Sequence, residues 1–227
     1  IYVNHVGSWN SAATAYLNRW KVKIYYEHYF DDHSQMFFQY GRWKDGHIGL
    51  EITFPKNRFI DTFVYEGLGT KDQTGPMLYD SFWGEFEEQI SAKDNYYNHY
   101  LYQGWQHWGM GIGNPLLPGP IYNKNGQITF ISNRVLAHHI GFCGSPCQSL
   151  SYRMLLSYSR HWGTYDNPLN EIKKQFNSLF EVTYAPQQLK GWSFTVSGAM
   201  DRGNLLGTNY GGMLVIRKQG IIKSGNK

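Results

Sequence analysis

Trp192, Phe194, Val196, Gly198 and Met200 alternate without interruption with Ser193, Thr195, Ser197, Ala199 and Asp201. An extended chain points successive side chains to opposite sides, so this run has one apolar and one polar face. The pattern returns at Leu150, Tyr152, Met154, Leu156 and Tyr158 against Ser151, Arg153, Ser157 and Ser159, with Leu155 the one exception. It returns again at Ile48, Leu50, Ile52 and Phe54 against Gly49, Glu51 and Thr53, and at Phe180, Val182 and Tyr184 against Glu181 and Thr183. Strands of about ten residues with this period and this many aromatics predict an all-β chain whose sheet is apolar on one side and polar on the other. An antiparallel transmembrane β-barrel has that arrangement, with lipid outside and polar groups inside.

Composition is compatible with that class. Aromatic residues make up 17% of the 227 residues, with 18 Tyr and 8 Trp, and charged residues are also only 17%. Soluble domains average about a quarter charged, so this surface is short of charge. Mean hydropathy is −0.50, and no run approaches the roughly 18 apolar residues of a membrane-crossing helix. A barrel escapes such a scan, because each lipid-facing residue has a polar neighbour. A soluble β-sandwich or barrel alternates for the same geometric reason, and the pattern alone does not choose between them.

The length suits one domain, residues 1–227, with a sizeable core. The chain starts at Ile1 with no initiator Met and no leader, which is the expectation for a removed signal peptide or an internal fragment. Net charge is +4, but Lys and Arg are spread thinly, which argues against nucleic acid as a partner. The basic cluster Arg217, Lys218, Lys223 and Lys227 reads as a solvated end.

Cys143 and Cys147 bracket Gly144-Ser145-Pro146, a turn sequence. A hairpin disulfide is expected there in an oxidising compartment, with a pair of free thiols as the alternative. His138 and His139 lie just upstream, but neighbours on a strand point to opposite faces and cannot readily share a zinc ion with the cysteines. No motif calls for a cofactor.

Residues 15–30 read as a strand, followed by a polar break at Asp31–Ser34, a strand over Met36–Trp43, a Lys44-Asp45-Gly46 turn and a strand over His47–Phe54. From Gly67 to Gly126 the alternation fails, giving a long irregular loop, expected to be extracellular. Within it, Phe82, Phe86 and Ile90 predict a short helix over Ser81–Ser91. Strands resume at Gln127, interrupted at Gly163–Asn170 and Asp201–Gly212.

A succession of motifs is more specific. Asp94-Asn95-Tyr96-Tyr97-Asn98 leads through Gly109-Met110-Gly111-Ile112-Gly113-Asn114-Pro115-Leu116 to Pro120-Ile121-Tyr122-Asn123. Then come Asn133-Arg134-Val135-Leu136-Ala137-His138-His139-Ile140-Gly141, Tyr152-Arg153 and Trp162-Gly163-Thr164-Tyr165. With Glu27–Ser34 and Lys44-Asp45-Gly46 upstream, the chain resembles the C-terminal half of the capsule assembly Wzi family of Gram-negative outer-membrane proteins. The resemblance implies an eighteen-stranded, monomeric outer-membrane barrel with a small periplasmic helical part, acting as a surface lectin that holds capsular polysaccharide. This chain has room for about eight to ten spanning strands, so a partial barrel is expected, in contact with outer-membrane lipid. The terminal Phe common in such barrels is missing.

Sugar binding fits the residues independently. Carbohydrates offer C–H faces for aromatic rings and hydroxyls for paired donors and acceptors. Trp105 and Trp108 are candidate stacking residues, with Asn98 and His107 as hydrogen-bonding neighbours; alternatively these aromatics fill the loop or form an interfacial belt. Arg134, Arg153 and Arg160, with His139, are candidates for sugar carboxylates and hydroxyls. The arginines could equally pair with Glu51, Glu181 or Asp201 in a packed polar lumen.

Catalysis is the weaker expectation. Glu27, Asp31, Asp32, Glu66 and Asp80 offer carboxylates that a glycoside hydrolase could pair, but Asp31 and Asp32 diverge if extended. No Gly-x-Ser-x-Gly elbow occurs, and Gly109-x-Gly111-x-Gly113 lacks the strand-to-helix context of a phosphate loop. The expected function is therefore non-catalytic binding and retention of surface or capsular polysaccharide, with a glycan-acting β-fold enzyme or a general outer-membrane porin as alternatives.

Overall fold

A computed structural model describes residues 7–30, 45–57, 59–73, 97–98, 106–111 and 114–220. The expected strand over Met36–Trp43, the helix over Ser81–Ser91 and Trp105 lie outside the described residues. Among the described residues there are eleven strands: β1 (Gly7–Leu17), β2 (Trp20–Phe30), β3 (Gly46–Thr53), β4 (Thr62–Gly69), β5 (Gln106–His107), β6 (Met110–Gly111), β7 (Val135–Cys147), β8 (Leu150–Gly163), β9 (Pro168–Tyr184), β10 (Trp192–Gly203) and β11 (Asn209–Lys218). Among the described residues the only helical element is a short 3₁₀ turn at Pro120–Tyr122.

Nine strands form one antiparallel sheet in the order β1-β2-β3-β4-β7-β8-β9-β10-β11, and β5 and β6 make a separate small ribbon. Each main strand pairs with the next in sequence, so the sheet is a meander. The chain is all-β, and the alternating runs sit where period two places them.

Several boundaries differ from the sequence reading. The run 15–30 is not one strand but parts of a hairpin that turns at Asn18-Arg19, with Asn18 in the left-handed region at φ +56°. Asn tolerates that conformation without a glycine to announce it. The connection from β4, which runs on to Gly69, to β7, which starts at Val135, spans 70–134, and among its described residues only the β5–β6 ribbon and a short 3₁₀ turn are regular. The breaks after β8 and β10 shrink to residues 164–167 and 204–208.

The cysteine hairpin is also corrected. Gly144-Ser145-Pro146 is not the turn but an irregularity within β7, whose turn comes at Gln148-Ser149. Pro is tolerated at such a point because the ladder is already interrupted. Gly144 is needed because the backbone at Phe59 lies where a Cβ would stand. Ser145 Oγ donates to Asp61 Oδ2 at 2.8 Å, fastening the β3–β4 loop to this bulge. Cys143 and Cys147 therefore share one strand, about 13 Å apart at full strand rise, and both are free thiols. Disulfide geometry needs Cα atoms within about 7 Å.

Register settles the faces. On one side lie Trp20, Ile24, Ile48, Ile140, Phe180, Val196 and Leu214, all prominently exposed; Val196 is 61% and Leu214 65% accessible. The other side carries Glu27, His47, Glu66, His139, Ser157, Asn177 and Asp201. The small buried core, Leu68, Leu117, Val135 and Ala137, sits on this polar side rather than beneath the aromatic one. The apolar face is the outside of the curve.

The two ends of the sheet are unlike. At one end the connections are short: residues 18–19, 54–61, 148–149 and 185–191. At the other end the β2–β3 connection spans 31–45 and the β4–β7 connection 70–134, beside the short connections 164–167 and 204–208. Trp20 packs on Phe54 at 5.0 Å, and Trp192 stacks on Phe194 at 6.3 Å, near the short-turn end.

Candidate functional site

A cavity of about 600 Å³ opens on the polar side of the sheet. Its wall takes side chains from β3, β4, β7, β8, β9 and β10, which a flat sheet of six strands about 4.8 Å apart would spread too widely. The sheet curls around it. Two irregular segments close the cavity: Asn114–Leu116 with Pro118, and Leu205-Leu206 in the β10–β11 turn.

The segment at 114–118 enters because its apolar residues have partners inside. Leu117 is buried with Leu68, Val135 and Ala137, and Leu116, Tyr29 and Tyr97 pack around them. Asn98 fixes the base of this insertion. Its amide donates to Phe130 O at 2.7 Å and its carbonyl accepts from Phe130 N at 2.8 Å. Tyr97 meets the Phe130 ring at 4.7 Å. Burial and the Glu27 carboxylate push the Tyr97 phenol up to about 12, so it stays neutral. The turn carrying Leu205 and Leu206 is held by Gln175, whose Oε1 accepts from Leu206 N at 3.1 Å.

One cross-strand row runs through the cavity wall. Tyr25, Gly49, Glu66, His139, Ser157, Asn177 and Asp201 are successive register partners from β2 to β10. Gly49 has no side chain, and the Tyr25 ring crosses the space that a Cβ would take, bringing its hydroxyl to the Glu66 carboxylate. His47 Nε2 lies 3.5 Å from Glu66 Oε1 and its Nδ1 3.9 Å from Glu27 Oε2. Glu27 also accepts from Ser8 at 3.0 Å and Tyr29 at 3.3 Å. Further along the row, His139 Nδ1 meets Ser157 Oγ at 2.7 Å, and Asn177 donates to Asp201 Oδ1 at 2.7 Å. His161 is fully buried in the wall, its Nε2 on Ser159 Oγ at 2.9 Å.

The chemistry open to this arrangement is limited. Four strand steps of about 4.8 Å separate Glu66 from Asp201 along the sheet. Glu27 and Glu66, on the two nitrogens of His47 at 3.9 and 3.5 Å, fall within the roughly 5–10 Å of a glycosidase pair, but of these two only Glu66 lines the cavity. His139 and Ser157 make a base–nucleophile contact, but acyl transfer also needs donors for an oxyanion. Backbone N–H groups inside the strands are committed to the ladder, and one of the two Asn177 amide hydrogens goes to Asp201. Among the described residues no three His, Cys, Asp or Glu side chains gather as a metal site. Hydroxyls, amides, carboxylates and imidazoles beside aliphatic walls make a binding surface.

The residues singled out from sequence scatter. His139 alone of them lines the cavity. Asn98 is a staple for Phe130. His107 and Trp108 lie at the tip of the β5–β6 ribbon, edge to face at 6.2 Å, with Trp108 85% exposed. Arg134 stacks on Tyr165 at 3.8 Å and donates to Lys71 O at 3.0 Å, tying two connections together. Arg160 covers Trp162 at 5.4 Å. Arg153 pairs with Glu181 at 3.3 Å, nearer the short-turn end.

His47, Ser157 and Asn177 were not singled out from sequence, while Glu66 was named there only as a possible hydrolase carboxylate and Asp201 only as a possible partner for an arginine. The available signal was modest: each occupies the polar phase of an alternating or near-alternating run. No family model matches this chain, and no curated protein or solved structure is significantly similar to it.

Proposed function

We propose that this chain forms part of an outer-membrane β-barrel that binds surface or capsular polysaccharide in its polar interior and holds it at the cell without altering it. The observation that carries the reading is the division of chemistry between the two faces of one continuous meander. Exposed Ile, Val, Leu, Phe and Trp side chains on the outside would be a liability in water, where exposed apolar patches of a monomer rarely exceed a few hundred Å². In a bilayer they are the preferred surface. The two longest connections, 31–45 and 70–134, share one end of the sheet, as the long extracellular loops of such barrels do.

Polysaccharide is supported by the donor and acceptor mix of the cavity and by the resemblance to the capsule assembly Wzi family. An open diffusion pore fits less well, because Leu116, Leu117 and Pro118 insert into the concavity and narrow it. The test has two halves. Cells expressing the intact protein are fractionated, and recovery in a soluble pool without detergent rejects the barrel. Purified protein is then incubated with capsular polysaccharide, with retention expected. No binding rejects the lectin role, and shortened fragments reassign the protein as a hydrolase.

A further inference from the structure

We propose that the cavity under the 114–118 segment receives a sugar unit that carries no acidic group. The inference deepens the polysaccharide-binding reading and rests on it. Among the described residues the wall includes two carboxylates, Glu66 and Asp201, and no Lys or Arg. The arginines that sequence suggested for sugar carboxylates are engaged elsewhere: Arg134 with Tyr165, Arg160 with Trp162 and Arg153 with Glu181. A uronate entering here would leave water and meet like charge, and the wall's His47, the imidazole placed to carry positive charge, is already held between Glu66 and Glu27 at 3.5 and 3.9 Å. A hydroxyl suffers neither penalty and donates readily to a carboxylate.

A second observation points to a ligand. His161 is fully buried in the wall, and its Nδ1 has no hydrogen-bond partner among the described residues. A buried polar atom left unmade carries its whole desolvation penalty. A sugar hydroxyl completes it in either imidazole tautomer once the wall shifts enough to expose the nitrogen, because a hydroxyl can donate or accept. Leu155 and Leu179 on the sheet, with Leu116 on the inserted segment, offer an aliphatic wall for C–H faces. The volume of about 600 Å³ is within the usual range of small-ligand sites.

The test uses the intact protein in detergent and a printed array of tetrasaccharides grouped as neutral, hexosamine-bearing and uronate-bearing. Binding to the non-acidic groups is expected to exceed binding to the uronate group at least tenfold. Asp201→Leu is expected to weaken the best non-acidic ligand at least fivefold, and Trp108→Ala to leave it unchanged. Heat-dependent gel migration reports whether each variant remains a folded barrel. Equal or tighter uronate binding overturns this inference and leaves the polysaccharide reading standing. Undiminished binding by a folded Asp201→Leu variant also overturns it, by moving the ligand out of the cavity. Binding to no group, with no retention of capsular polysaccharide either, overturns both. The wild-type comparison decides the charge preference even if Asp201→Leu fails to fold.

Discussion

Placing a charge at residue 196 tests whether the apolar face meets lipid or water. Val196 points outward from β10, between Val182 and Leu214, and is 61% exposed. It lies four residues from Trp192, which stacks with Phe194 near the short-turn end. Four residues rise about 14 Å along a strand, and a tilt of about 40° turns that into roughly 10 Å of depth, close to the middle of an apolar band about 25 Å tall. Arg near a bilayer midplane costs about 2–4 kcal/mol. On a water-facing sheet the same change at an exposed position would cost about 0.5 kcal/mol or less. Thr195→Arg is the internal control. Thr195 faces inward and shares a hydrogen bond with Thr183 at 2.8 Å, so its loss costs about 1 kcal/mol in either setting. The assay is reversible urea unfolding of the intact protein in lipid vesicles. Val196→Arg is expected to be the more damaging by about 1–3 kcal/mol, the difference of those two estimates. If it proves no worse than Thr195→Arg, the assignment of the outer face to lipid is wrong.

Three further outcomes follow from the geometry. Cys143 and Cys147 are expected to take up two maleimide groups without prior reduction, the exposed Cys147 faster; a peptide lighter by two hydrogens would contradict their placement on one strand. Cysteine introduced at Asp166, in the β8–β9 connection at the long-loop end, should react with a membrane-impermeant reagent on intact cells, and cysteine at Arg19 should not; the reverse pattern would invert the orientation. Gly49→Ala should displace the Tyr25 ring from Glu66 and cost about 1–3 kcal/mol through overpacking. Unchanged unfolding would show that the ring does not cross that space.

Alternation was readable locally because the direction of a side chain on a strand depends only on its place in the count. Val196 against Thr195, or Phe180 against Glu181, needed no knowledge of any partner, so strand class and the two faces were legible in the residues themselves. Turn chemistry was partly legible. Asp45 did precede β3, which opens at Gly46, but Asn18-Arg19 made a hairpin without glycine, and Gly144-Ser145-Pro146 made a bulge where a turn was expected. The candidate site was hardly legible. Glu66, His139, Ser157 and Asp201 are scattered over 136 residues of chain. They meet because register aligns them into one row and curvature turns that row inward. Arg134 and Arg160 went the other way, since nearby aromatic rings claimed their guanidinium groups once the connections folded. A residue's face is set by its own backbone, whereas its neighbours across the sheet, and the room left between them, exist only when every strand is in place.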